Sequence, residues 1–115
     1  MEKTKVLFHV SENEVWPKAL TNIQNFLKDV SDNQVEIELV ANAGAVNFYY
    51  DNDKVNLHEQ MSSLSSRGVK FAACRNALQA HSLKEELLPE FVQVVPGGIT
   101  EIVKKQSMGF IYIKP

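Results

Sequence analysis

Short, nearly continuous apolar runs alternate along this chain with longer stretches whose apolar positions recur every three to four residues. The first run, Val6-Leu7-Phe8-His9-Val10, is broken only by a histidine and suits a strand covered on both faces. Trp16, Leu20, Ile23, Leu27 and Val30 follow at steps of 4, 3, 4 and 3, which predicts a helix. Pro17 near its start costs nothing, because the first N–H groups of a helix have no partner within it. Val35-Glu36-Ile37-Glu38-Leu39-Val40-Ala41 alternates and then turns wholly apolar. It reads as a second strand with one wet or interfacial face, Glu36 and Glu38 lying on solvated surface. Asn42-Ala43-Gly44-Ala45 is a small-residue turn, and the aromatic stretch from Val46 to Asp51 has no clear period. Val55, Leu57, Met61 and Leu64 outline a second helix, stopped by Gly68. Val69 to Cys74 is a third strand, Arg75 to His81 a short helix, and Phe91 to Val95 a fourth strand. After the turn Pro96-Gly97-Gly98 comes a fourth helix, with Ile99, Ile102, Val103 and Gln106 expected to face the core. Gly109 caps it, and Phe110 to Ile113 forms a last strand.

This strand–helix alternation predicts an α/β fold: a five-stranded parallel sheet between helices in a three-layer α/β/α arrangement, joined by right-handed crossovers. Strand order does not follow from the pattern. A flavodoxin-like order 2-1-3-4-5 would put the half-polar second strand at an edge. Other orders stay open, though the apolar first strand should be internal.

Length and charge narrow the function classes. The chain has 115 residues, one domain's worth spanning 1–115. Twelve basic and fourteen acidic residues leave a net charge of −2, so the basic footprint of a nucleic-acid binder is missing. The apolar run near the N-terminus is too short for an export signal or a membrane span, so a cytoplasmic protein with no membrane partner is expected. The single cysteine excludes an intrachain disulfide and any multi-thiolate metal site. HxH, HxxxH and CxxC spacings are missing too, so no metal and no cofactor is expected.

A parallel sheet gathers its strands' C-terminal ends on one edge, where such folds bind ligands. That edge should collect His9, Asn42 with Gly44, Cys74 with Arg75 and Asn76, and Gly97 with Gly98. A cleft is expected there. Cys74 is the sharpest candidate, ending a strand just before a helix. The partial positive charge of the helix start, and Arg75 if its side chain turns back, would both favour the thiolate, the nucleophilic form of sulfur. Equally, a free cysteine packs well as a small apolar residue. His9 could orient a substrate or receive a proton, or be a satisfied core histidine. His81 lies roughly 10 Å along the helix from Cys74, too far to serve it as a base within one chain, and His58 has no assigned role. Pro96-Gly97-Gly98-Ile99-Thr100 could present backbone N–H groups to an anion, but it is neither GxxxxGK[ST] nor GxGxxG. Phe48-Tyr49-Tyr50 could form a lid or subunit contact, since three successive aromatics should not all point inward, or be a loop whose aromatics fold over the sheet edge. Glu85 and Glu86 read as solvated surface.

At these residues the sequence resembles the DsrE/DsrF-like family. The resemblance rests on Ala73-Cys74-Arg75-Asn76-Ala77-Leu78, on Asn42-Ala43-Gly44-Ala45-Val46, and on the tail from Val94-Val95-Pro96-Gly97-Gly98-Ile99 to Gly109-Phe110-Ile111-Tyr112-Ile113-Lys114-Pro115. The C-x-N-x-L pattern is similar to that of small stand-alone members. The resemblance implies an α/β/α fold, assembly into homotrimers or homohexamers, and a sulfur donor or acceptor protein as partner. It also implies sulfur relay through a persulfide on the cysteine that Cys74 matches. Two readings follow. In one, the protein is a sulfur carrier or sulfurtransferase, with Cys74 as nucleophile, Arg75, Gly97 and Gly98 stabilising the anion, and Asn42 and Asn76 lining the pocket. In the other, it is a non-catalytic oligomeric binding module with a structural Cys74. A small nucleotide or flavin binder is a remoter third, which the missing phosphate motif disfavours.

Overall fold

The computed structural model describes residues 3–115. Five strands and four α-helices alternate: β1 (Thr4–Val10), α1 (Trp16–Asp29), β2 (Val35–Ala41), α2 (Val55–Ser66), β3 (Lys70–Cys74), α3 (Arg75–Ala80), β4 (Val92–Val95), α4 (Gly98–Ser107) and β5 (Ile111–Ile113). The sheet is parallel throughout, in the order β4-β3-β2-β1-β5. The flavodoxin-like order is therefore not the one adopted. β1 is internal as expected, whereas β2 sits at the centre rather than at an edge.

This order fixes which helices cover which face. From β1 to β4 the chain steps in one direction, so right-handed crossovers place α1, α2 and α3 on one side. From β4 it returns across the whole sheet to β5, which puts α4 alone on the other side. The core is correspondingly lopsided. On the first face Trp16, Leu20 and Ile23 of α1 and Met61 and Leu64 of α2 pack against Val6, Phe8, Val10, Ile37, Leu39 and Phe71. On the second, Leu7, Val40, Ala72, Val95 and Phe110 form a small cluster with Ile102 of α4.

Two expectations of exposure are corrected. Residues Ala43–Tyr50 form a 3-10 segment that belongs to the core. In a 3-10 helix successive side chains diverge by a third of a turn, so consecutive aromatics reach three different neighbours. Phe48 stacks on Trp16 with ring centroids 4.9 Å apart. The Tyr49 hydroxyl donates to the Ala72 carbonyl at 3.0 Å, and that of Tyr50 to the Lys84 carbonyl at 2.8 Å. Trp16 pins the same segment by donating to the Ala45 carbonyl at 2.9 Å. His58, half-buried, donates from Nε2 to the Phe48 carbonyl at 2.7 Å and has a structural role after all.

The second correction concerns α4. Its inward stripe is Gly98, Glu101, Ile102 and Lys105, while Ile99 and Val103 are 62% and 63% exposed and Gln106 is also exposed. The apolar stripe faces outward because the inward one meets a carboxylate on the sheet. Glu38 of β2 is buried, not solvated, and lies 3.4 Å from the Lys105 ammonium. Gly109 takes a φ of 94° just beyond α4, and Gly68 one of 101° beyond α2. Both stops therefore use the left-handed turn that glycine alone adopts freely.

Candidate functional site

Strand register assembles the site. Ala41 pairs with Ala73, and Cys74 with Val95, so the next row at the C-terminal edge holds Asn42, Cys74 and Val95. His9 lies one strand over, paired with Val40. By the alternation of strand residues His9 and Asn42 belong to the face that α4 covers, whereas the Cys74 side chain, at the strand end, packs with Ala77 and Leu78 of α3.

Cys74 caps α3. Its Sγ accepts the backbone N–H of Ala77 at 3.4 Å, and the residue is 6% exposed. Arg75 does not turn back toward the sulfur. Its guanidinium pairs with Glu85 at 2.8 Å, a half-exposed contact that holds the guanidinium's pKa above its usual range. An arginine at the first helical position projects from the outer side of the turn, and a nearby carboxylate in the following loop captures it. Glu85 is thus ion-paired rather than merely solvated. His81 sits beyond the end of α3 and contacts the Asn47 side chain at 3.4 Å.

The remaining predicted residues converge in two groups. His9 Nε2 lies 2.9 Å from Asn42 Oδ1, and its Nδ1 lies 2.6 Å from the Tyr112 hydroxyl. A β-carbon at Gly98 would stand 2.7 Å from Asn42 Cβ and 3.3 Å from its Nδ2. A β-carbon at Gly97 would stand 3.3 Å from Asn76 Nδ2. The Gly97-Gly98 turn is therefore packed between two carboxamides; Gly98 is needed for the close approach to Asn42, whereas a β-carbon at Gly97 would require the Asn76 amide to give by a few tenths of an ångström. Gly44 is different. Nothing lies within 4 Å of its β position, and its carbonyl accepts the Asn47 amide at 3.0 Å. The strained residue of that turn is Ala43, with a φ of 49°.

Tyr112 was missed from the sequence because it reads as an ordinary strand aromatic. Only the parallel pairing of β5 with β1, Leu7 opposite Tyr112, brings it beside His9. A second cluster was also hidden. Glu38, Glu101 and Lys105 meet between β2 and α4. Burial, reinforced by the neighbouring Glu101 carboxyl, raises the Glu38 carboxyl to about 7 against the opposing pull of Lys105. Among the described residues no group of histidine, cysteine and carboxylate side chains could hold a metal ion. No helix among them is long and apolar enough to cross a membrane.

The sequence profile of the DsrE/DsrF-like family matches residues 6–115. The fold is similar to that of MTH1491 from Methanobacterium thermoautotrophicum, a protein of unknown function. The TM-score is 0.88 at 32% identity, covering 98% of this chain and 100% of that one. It is also similar to the ychN protein from E. coli, with a TM-score of 0.74, 14% identity, and the same coverage of 98% and 100%. No curated protein matches the chain.

Proposed function

The chain belongs to the DsrE/DsrF-like family, and from that premise we propose that it is a sulfur carrier or sulfurtransferase holding a persulfide on Cys74. The Cys74 thiolate attacks the terminal sulfur of a donor persulfide. The donor's S–S bond breaks, its electron pair leaves on the donor thiolate, and a new S–S bond forms at Cys74. An acceptor thiolate then attacks the same terminal sulfur and releases the Cys74 thiolate, so no external oxidant or reductant is consumed. The observation that carries this reading is the place of the Cys74 sulfur: at the C-terminal edge of the sheet, holding the Ala77 N–H, in the same row as Asn42. Incubation with a small persulfide donor should add the mass of one sulfur atom to the wild type and nothing to Cys74→Ser. An unmodified wild type would end the proposal.

One observation favours the second reading, a binding module with a structural cysteine: the thiol is only 6% exposed. The same mass measurement separates the two. The protein is placed in the reducing cytoplasm, where a lone free thiol persists. Its donor or acceptor is another protein thiol. Its own copies are proposed to assemble as a trimer or hexamer through the outward apolar stripe of Ile99 and Val103.

A further inference from the structure

We propose that Tyr112 is a positioning residue that sets the hydrogen-bond polarity of the Cys74 site, turning the Asn42 amide nitrogen toward the Gly97-Gly98 turn so that the site takes a small anionic sulfur species. The identity of that ligand rests on the sulfur-carrier reading; the polarity does not.

Asn42 Oδ1 only accepts, so His9 Nε2, 2.9 Å away, must carry a hydrogen. A neutral imidazole has a single ring hydrogen, which leaves Nδ1 as the acceptor. The Tyr112 hydroxyl at 2.6 Å therefore donates to Nδ1. Reading the chain in reverse, the phenol fixes the tautomer, the tautomer fixes the carboxamide, and the carboxamide leaves Nδ2 on the side of Gly98. Asn76 Nδ2 faces Gly97 in the same way. Two N–H-bearing groups thus flank the turn that follows Val95, the residue paired with Cys74, and the acceptor oxygen of Asn42 is turned away from it. An anion is stabilised by such donors and repelled by a carbonyl oxygen. Without the phenol, both tautomers of His9 are open, and half the turns of Asn42 would present oxygen to the ligand.

The test uses the full chain and the variant Tyr112→Phe, which keeps the ring on β5. Nitrogen-15 NMR of His9 above neutral pH should show the Nε2–H tautomer in the wild type and a mixture in the variant. Cys74 should react faster with iodoacetate than with iodoacetamide, relative to free cysteine. That ratio should fall about twofold in Tyr112→Phe, because half of the Asn42 turns then withdraw the donor. Asn42→Asp, which places an anion there, should invert the ratio. A wild-type Nδ1–H tautomer, a ratio unmoved by Tyr112→Phe, or a native thiol inert to both reagents would each overturn the inference. A protein that keeps the iodoacetate preference yet takes no sulfur from a persulfide donor would sink the carrier reading and leave this one standing.

Discussion

A β-carbon on residue 98 has no room. It would meet Asn42 Cβ at 2.7 Å, the root of a side chain rather than a flexible tip, so the end of β2 would have to shift. Gly98→Ala should therefore cost about 1–3 kcal/mol of stability, the usual range for overpacking, and part Asn42 from His9. Urea unfolding and the His9 NMR signals would measure the two effects. Gly44→Ala is the control: its β position is open, so stability should stay within about 0.5 kcal/mol of wild type or rise slightly. The sequence marks both glycines alike, as small residues in turns at the same sheet edge. Contact with Asn42 distinguishes them, and that contact spans residues far apart in the chain. The same limit explains Arg75 and Tyr112. A motif shows that Arg75 follows Cys74, but Glu85 decides where the guanidinium goes. Cys74, Asn42 and His9 were legible because strand ends follow from local pattern, and the parallel rule then collects them on one edge.

At the scale of elements, hydrophobic period located nearly every strand and helix, and failed where one element's polarity answers another's. In β2 the alternation of Glu36 and Glu38 with apolar residues suggests a wet face, and in α4 the stripe of Ile99 and Val103 suggests an inner one. Both inferences invert once α4 crosses the centre of the sheet. Glu38 lies beneath it, and Lys105 and Glu101 turn inward to meet that carboxyl. The consequence is a definite pH dependence. The Glu38 carboxyl is raised to about 7 in the fold, against about 4.3 in an unfolded chain. Between these values the native state holds a proton that the unfolded state has lost. The contribution of Glu38 to stability is thus full below about pH 4 and falls as pH rises toward 7, by on the order of 3 kcal/mol. Glu38→Gln keeps the shape, cannot ionise, and leaves Lys105 its partner Glu101. Thermal melts should show the variant and wild type close together at pH 5, with the variant more stable at pH 8. A difference independent of pH would mean that Glu38 ionises in the fold as it does in water.

For the whole molecule, what matters is how unevenly the sheet is covered. The steps from β1 to β4 put three helices on one face, and a single ten-residue helix must serve the other. The aromatics Phe48 and Tyr49, which the sequence offered as surplus surface, are spent inside the first layer. Val55 of α2 and Leu87 are exposed singly, whereas on the thin side and its edge the exposed apolar residues come in pairs: Ile99 and Val103 four apart on α4, and Ile111 and Tyr112 on the short edge strand β5. A monomer that aligns Ile99 and Val103 outward while turning Glu101 and Lys105 inward has its polarity reversed along α4. That reversal makes sense if a second copy covers the stripe, since burying each such side chain contributes roughly 1.5–3 kcal/mol. Closed rings of identical copies satisfy every such patch without leaving one exposed. Light scattering at micromolar protein should therefore give a mass near three or six times the 13.0 kDa of one chain. Val103→Lys sets a charge in the middle of the stripe without touching the core, since residue 103 is 63% exposed within a single chain. It should shift the mass to that of a single chain while leaving the circular dichroism of the fold intact. A wild type that scatters as one chain, or a Val103→Lys variant that still assembles, would remove α4 as the interface.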